Sequence, residues 1–265
     1  QGLTEFLPIS SSAHLVLPAL LTDWPDQGLA FDVAVHFGTL LAVIAYFRQD
    51  LSQMLAAFAR TPAMLSYLGW RPTFMQTAAH DEHLDLVLKL ALATIPVVIV
   101  GFATKDVIEA NLRTLSVIAT TTILFAVVLW VADRRPGGRS LASWSDTVWI
   151  GLAQTLALVP GTSRSGITIA IALLLGLNRV AAARFSFLLA IPTIAGAQLL
   201  LTLDLMFEGN SVDLAPIAVG GLIAFASAYL SIHFFIRLLD RFGMMPYVIY
   251  RLVLGGILVW IVARA

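Results

Sequence analysis

The stretch TVWIGLAQTLALVPGTSRSGITIAIALLLGL, residues 147–177, is apolar at both ends and broken in the middle at Pro160-Gly161. Proline lacks a backbone N–H and disfavours helix in the residue before it, so one straight membrane-crossing helix is not expected here. Directly after the break stand Thr162, Ser163, Arg164, Ser165 and Thr168, at what should be the depth of a hydrocarbon core. The segment reads as a helical hairpin that enters a membrane, turns at the polar motif and leaves on the same side. A second broken segment opens the chain. Residues Gln1–Leu21 are interrupted by Pro8 and Pro18 and carry Gln1, Glu5, Ser10, Ser11, Ser12 and His14. Polar and ionisable groups at such depth are costly, and by default are kept because they do something.

Composition demands the membrane. The 265 residues are 59% hydrophobic and 12% charged, with a mean hydropathy of +0.88, against roughly 25% charged residues in soluble domains. Formal net charge is zero, which argues against nucleic acid as a partner. Cysteine is absent, so disulfides and cysteine-based zinc or iron–sulfur sites are excluded.

Six further segments approach the ~20 residues needed to span: Leu29–Phe47, Leu86–Thr104, Leu115–Ala132, Ala183–Leu203, Ala215–Ile236 and Val248–Ala263. The polar stretches Arg48–Asp85, Asp133–Asp146 and Arg237–Tyr247 hold most of the loop arginines, whereas Asp204–Leu214 has none. The positive-inside rule makes the first three cytoplasmic, with Lys105 and Arg113 a mild dissent on the other side. The expected fold is therefore an all-α integral membrane protein of six transmembrane helices plus two re-entrant helical hairpins. The hairpins enter from opposite sides, which makes an inverted-topology repeat within one polytopic domain, about residues 1–132 and 147–265. Faint matches accompany it: Pro8-Ile9-Ser10-Ser11 against Pro160-Gly161-Thr162-Ser163, and Phe31…Thr39 against Phe185…Thr193. With only seven residues before Pro8, the sequence is expected to start inside the first re-entrant helix. Leu51–Phe58 is expected as an interfacial helix, and Lys89 and Arg251 are expected to snorkel from the ends of their spans.

The second motif suits an oxyanion. Gly161, Ser163, Ser165 and Gly166 leave backbone and hydroxyl donors around a helix start, and Arg164 adds a planar fork that matches two phosphate oxygens. In the first motif Gln1 and Glu5 are four apart and share a helix face. A carboxylate beside an amide oxygen is a half-shell for Mg²⁺ or Ca²⁺; the plainer alternative is a buried acid paired with Arg164. Ser10, Ser11 and Ser12 either cap a helix or, with His14, offer a nucleophile and base or a ligand and general acid. Asp32 and His36 share a helix face and could line the cavity. Ser186 and Thr193 could touch the site, and His233 reads as interfacial. Gly220-Gly221 and Gly255-Gly256 read as close helix packing.

With those residues in hand, the chain resembles the bacterial undecaprenyl pyrophosphate phosphatases, also called the bacitracin-resistance phosphatases. Their first motif, Glu/Gln-x-x-x-Glu running into Pro-x-Ser-Ser and a histidine, stands here as Gln1, Glu5, Pro8, Ser10, Ser11 and His14. Their second, Pro-Gly-x-Ser-Arg-Ser-x-x-Thr, stands as Pro160 to Thr168. The stretches Phe185–Pro192 and Tyr250-Arg251 are also similar to the family, and Ala13 takes the place of its more usual glycine. The resemblance implies an inner-membrane enzyme that hydrolyses undecaprenyl pyrophosphate, recycles the lipid carrier of cell-wall synthesis and confers bacitracin resistance, with its active site facing the periplasm. It implies catalytic Glu5, Ser11, His14 and Arg164, head-group binding by Ser10, Gly161, Ser163, Ser165 and Thr168, and a divalent cation at Gln1 and Glu5. A homodimer is left open. The rival reading is a secondary transporter or lipid flippase for an anionic substrate.

Overall fold

The computed structural model describes residues 1–15, 29–68, 81–134, 137–208 and 214–264. Among them the chain is helical, with one isolated bridge between Arg139 and Leu177. The helices are α1 (Leu29–Tyr46), α2 (Arg48–Leu68), α3 (Glu82–Asn111), α4 (Leu115–Asp133), α5 (Trp144–Gln154), α6 (Arg164–Leu174), α7 (Arg179–Glu208), α8 (Leu214–Phe242) and α9 (Met245–Val262). A short 3₁₀ turn, Thr155–Leu158, extends α5 to the Pro160 break, and a single helical turn spans residues 11–15.

Five of these helices, α3, α4, α7, α8 and α9, are singly long and apolar enough to cross a bilayer. The sixth expected span, α1, meets α2 at a 78° bend at Phe47 and qualifies only with it. The bend leaves Leu55 and Phe58 exposed on α2, in keeping with an interfacial helix. The exposed faces of the long helices are apolar, as at Phe102, Leu222 and Ile223. In lipid such faces gain nothing by association, so close packing and polar contacts hold the bundle together. Small residues provide the approach. A Cβ on Gly38 would fall 2.2 Å from the Gly221 carbonyl oxygen, and one on Gly255 would fall 2.4 Å from Ile123. Gly256 has open space instead.

One end of the bundle is stitched by charge. Arg184 pairs with Asp50. Arg179 Nε reaches Asp133 Oδ1 at 2.6 Å, and Asp133 Oδ2 accepts the Met244 N–H at 3.0 Å. Lys89 pairs with Asp85 and donates to the Ala142 carbonyl at 2.7 Å. Arg139 pairs with Asp146 at 2.7 Å and bonds the Leu175 carbonyl, while its backbone bonds Gly176 and Asn178. The start of α5 and the end of α6 are thus tied together, so residues 144–177 fold back on themselves. The expectation that Lys89 snorkels is corrected: it is buried, because a carboxylate, a carbonyl and the Trp144 ring 5.6 Å away surround its ammonium.

Candidate active site

Two broken segments meet inside the bundle. The first is anchored by Phe6, fully buried, whose ring stands edge-on to Phe187 of α7 at 5.6 Å. Gly2 lies against α8, where a Cβ would fall 2.0 Å from Ser227 Oγ. The second is anchored by Gly161 at φ +90°, where a Cβ would fall 2.1 Å from Thr121 Oγ1 and 2.5 Å from the Ile118 carbonyl of α4. Thr121 Oγ1 also donates to the Pro160 carbonyl at 2.6 Å.

The loops are local copies of one another. Ser10 and Ser163 both take positive φ, 72° and 70°. This conformation is strained for a non-glycine residue and persists only where the surroundings fix it. Each serine then caps the turn after it: Ser10 Oγ accepts the Ala13 N–H at 3.5 Å, and Ser163 Oγ accepts the Gly166 N–H at 3.2 Å. Each also pairs with the serine two residues on, at 3.1 Å to Ser12 and 3.2 Å to Ser165. Those second serines cross over. Ser12 Oγ accepts the Gly161 N–H at 2.9 Å, and Ser165 Oγ donates to the Leu7 carbonyl at 3.0 Å. Both contacts use the peptide two residues before the strained serine. Pro8 has no N–H to offer, so the first loop's peptide can only accept. The register therefore sets Ser10 on Ser163, Ser11 on Arg164 and Pro8 on Gly161. This corrects the sequence match by one residue, because the strained cap is what repeats and not the proline. Ala13 sits in helix and is buried, so the position does not call for glycine's positive φ.

Arg251, in the interior of α9, locks the pair. It is fully buried, and its five N–H groups go to five carbonyls: Nε to Thr122 at 3.1 Å, Nη1 to Pro8 at 3.3 Å and Thr162 at 3.0 Å, Nη2 to Gly161 at 2.9 Å and Thr121 at 3.5 Å. The guanidinium's five fixed donors match this requirement in full. The expectation of a snorkelling Arg251 is thereby overturned. The side chain turns inward because the irregular backbone at both breaks leaves carbonyls that helix bonds cannot satisfy.

Between the loops lie the side chains that can do chemistry. Arg164 Nη2 donates to Glu5 Oε1 at 3.0 Å, and both side chains are 12% exposed. The Ser11 side chain lies close enough to act on the same carboxylate. Gln1 Nε2 donates to Glu5 Oε2 at 2.7 Å and lies 3.0 Å from His36 Nε2. His36 Nδ1 is 2.8 Å from its own helix's Asp32 carbonyl, which can only accept, so Nε2 is left to accept from Gln1. The Gln1 amide is oriented by this, and its buried Oε1 has no hydrogen-bond partner. Glu5 and that oxygen are hard ligands of the type a divalent cation takes, but the Gln1 nitrogen faces Glu5 here, so joint ligation with a diphosphate would need the amide to turn over. No group of three acidic or imidazole ligands occurs among the described residues.

His14 meets neither Ser11 nor Glu5 through its ring nitrogens: Nδ1 lies 2.7 Å from the Ser10 carbonyl and Nε2 lies 2.6 Å from Tyr250 Oη. Thr168 Oγ1 donates to the Arg164 carbonyl at 2.8 Å and meets Ser186 Oγ at 2.7 Å, so it supports the start of α6 from behind. Ser186 is thus one contact removed from the site, whereas Thr193 turns to Gln154 at 3.2 Å. His233 packs against Tyr46 and Phe234. His80 and Asp213 lie outside the described residues. Sequence reasoning missed the clamp of Arg251 and the contact of Tyr250. The available signal was an adjacent Tyr-Arg pair inside an otherwise apolar final span.

A family model for the bacitracin resistance protein BacA matches residues 1–257. The chain belongs to the BacA family. The undecaprenyl-diphosphatase of Alcanivorax borkumensis is 52% identical over 265 residues, covering 98% of this chain and 95% of that protein. The undecaprenyl-diphosphatase of Alteromonas mediterranea is 50% identical over 270 residues, covering 99% and 95%. BacA membership thus extends across both broken segments and every long helix up to the last turns of α9.

Proposed function

We propose that this protein is an integral-membrane phosphatase that hydrolyses undecaprenyl diphosphate to undecaprenyl phosphate and inorganic phosphate. The activity recycles the lipid carrier of cell-wall synthesis and confers resistance to bacitracin. The observation that carries the chemistry is the Glu5–Arg164 pair, which brings an acid from one loop against a guanidinium from the other, with the Ser11 side chain beside the same carboxylate.

Arg164 is the phosphate clamp: its fork can exchange one bond to Glu5 for bonds to the diphosphate and stabilise the charge that develops there. Ser163 and Ser165 hold the helix start that presents it, and Gly161 lets the loop approach α4. Ser10 does the same for Ser11. Glu5 accepts the proton of the attacking oxygen. That oxygen is either Ser11 Oγ, giving a phosphoserine that water then cleaves, or a water held by Ser11. In both routes the P–O bond of the anhydride breaks and undecaprenyl phosphate leaves. His14 serves proton transfer at the phosphate oxygens. Glu5 and Gln1 Oε1 would hold Mg²⁺ or Ca²⁺, which neutralises diphosphate charge when bound.

The chain is read as one domain of six spans with two re-entrant hairpins in inverted repeat, halves about 1–132 and 147–265. The stitched end supports this, because the basic loops gather there and the positive-inside rule makes that end cytoplasmic. The site then opens to the periplasmic face of the inner membrane, and exposed apolar walls hold the prenyl chain. The decisive test is release of inorganic phosphate from undecaprenyl diphosphate by the purified protein. Turnover is expected, and EDTA is expected to stop it. A protein that binds or moves the lipid without releasing phosphate would be the transporter or flippase instead.

A further inference from the structure

Tyr250 lies next to the buried clamp Arg251 on α9, and no role above uses it. Its hydroxyl is 2.6 Å from His14 Nε2, and the two rings are within 5° of parallel with centroids 5.5 Å apart. On the other side of the imidazole, Nδ1 is 2.7 Å from the Ser10 carbonyl. A carbonyl oxygen can only accept, so Nδ1 carries a proton. In the neutral ring Nε2 is then a bare lone pair, and the phenol donates to it. Ser10 is the strained serine of the first loop, so the bond to its carbonyl ties the imidazole to the most constrained backbone of the site.

We infer that Tyr250 is a positioning residue for His14, holding its imidazole in the Nδ1–H tautomer until a phosphate oxygen of the head group takes the phenol's place on Nε2 for proton transfer. This rests on the phosphatase reading. A phenol oxygen both donates and accepts, so the contact re-forms once Nε2 has gained a proton, with the phenol turned from donor to acceptor. Arg251 gives the arrangement its rigidity. The five carbonyls that it holds fix α9 relative to both loops, and Tyr250 inherits that placement from its neighbour. Tyr250 is 44% exposed and its bond to His14 is itself open, so the phenol can yield to a head group at Nε2. Both His14 ring nitrogens are taken by Ser10 and Tyr250, which leaves His14 and Tyr250 as a separate unit and not the base of a serine–histidine pair.

The test is Tyr250→Phe, which keeps the ring and removes one hydroxyl, assayed by phosphate release from undecaprenyl diphosphate. The expected result is a fall in kcat of about tenfold, the scale of one lost hydrogen bond to a reacting group, with KM and thermal midpoint unchanged. A double-mutant cycle with His14→Ala, run at enzyme concentrations where residual turnover is measurable, should show Tyr250→Phe changing kcat by less than about twofold when the imidazole is absent. The assignment is overturned by a Tyr250→Phe kcat within twofold of the parent, by a loss confined to KM, or by the same loss recurring without His14. Absence of phosphate release from the parent protein would sink the phosphatase reading, and this assignment with it. An active parent with an unaffected Phe variant sinks the Tyr250 role alone.

Discussion

Replacing Arg251 by lysine keeps the charge and removes the fork. The guanidinium spans from Thr122 on α4 to Gly161, Thr162 and Pro8 on the two loops, and satisfies five carbonyls from three nitrogens. An ammonium has three donors on a single atom and cannot reach both loops and the helix together. At least two of the five bonds are lost. The Thr121 and Thr122 carbonyls lie within α4 and keep a helix partner, and Gly161 keeps Thr122 Oγ1 at 3.5 Å, so the orphans are Pro8 and Thr162. Each buried carbonyl left unpaired costs about 1–3 kcal/mol, so two cost about 2–6 kcal/mol. That is a large share of the roughly 5–15 kcal/mol that holds a domain folded. In detergent, the Arg251→Lys thermal midpoint should fall by about 4–24 °C at about 2–4 °C per kcal/mol. Phosphate release should fall further than stability does, because loosening either loop separates Glu5 from Arg164. A lysine variant with the parent's melting curve and the parent's turnover would refute the clamp.

Gly161→Ala should be nearly inactive. The added methyl meets Thr121 Oγ1 and the Ile118 carbonyl at a φ of +90°, so the loop must leave α4 and lose the Ser12 contact. Phosphate release measured beside the melting curve checks this. A second expectation concerns pH. Burial would raise the Asp146 carboxyl, but hydrogen bonds from Arg139 and from Ser143 outweigh it and hold Asp146 below the usual carboxylate range. A depressed folded value means stability that is present above the ordinary carboxylate pKa and lost as pH falls through the folded one. Asp146→Asn should therefore cost about 1 kcal/mol at neutral pH. The gap should close below about pH 4. Melting curves of both proteins across that window decide it, and a gap that persists undiminished at low pH counts against the linkage.

Much of this was legible in the residues. The spans at Leu115–Ala132 and Ala183–Leu203 fall inside α4 and α7, because predominantly apolar runs of that length have one stable form in lipid, even with Pro192 inside the second. The break at Pro160-Gly161 is also where it was expected. Long-range geometry was not legible. Nothing in the local pattern says that Arg251 turns inward or that His14 meets a tyrosine from α9, since both depend on carbonyls and hydroxyls brought from distant sequence. The match between the loops slipped by one residue for a similar reason. Proline is conspicuous in sequence, while the backbone feature that repeats is a serine at positive φ.

The shared backbone of the two turns carries unlike cargo. In the common register Ser11 stands where the other loop has Arg164, and Glu5 where the other has Leu158, while Gln1 and Gln154 coincide. A molecule built from two first loops would face carboxylate with carboxylate, and one built from two second loops would oppose guanidinium to guanidinium with no acid between them. Neither homogeneous pair could both seize a diphosphate and take up a proton. The chemistry available between these two loops therefore resides in their difference, and two copies of either loop would bring like charges together around an inert centre.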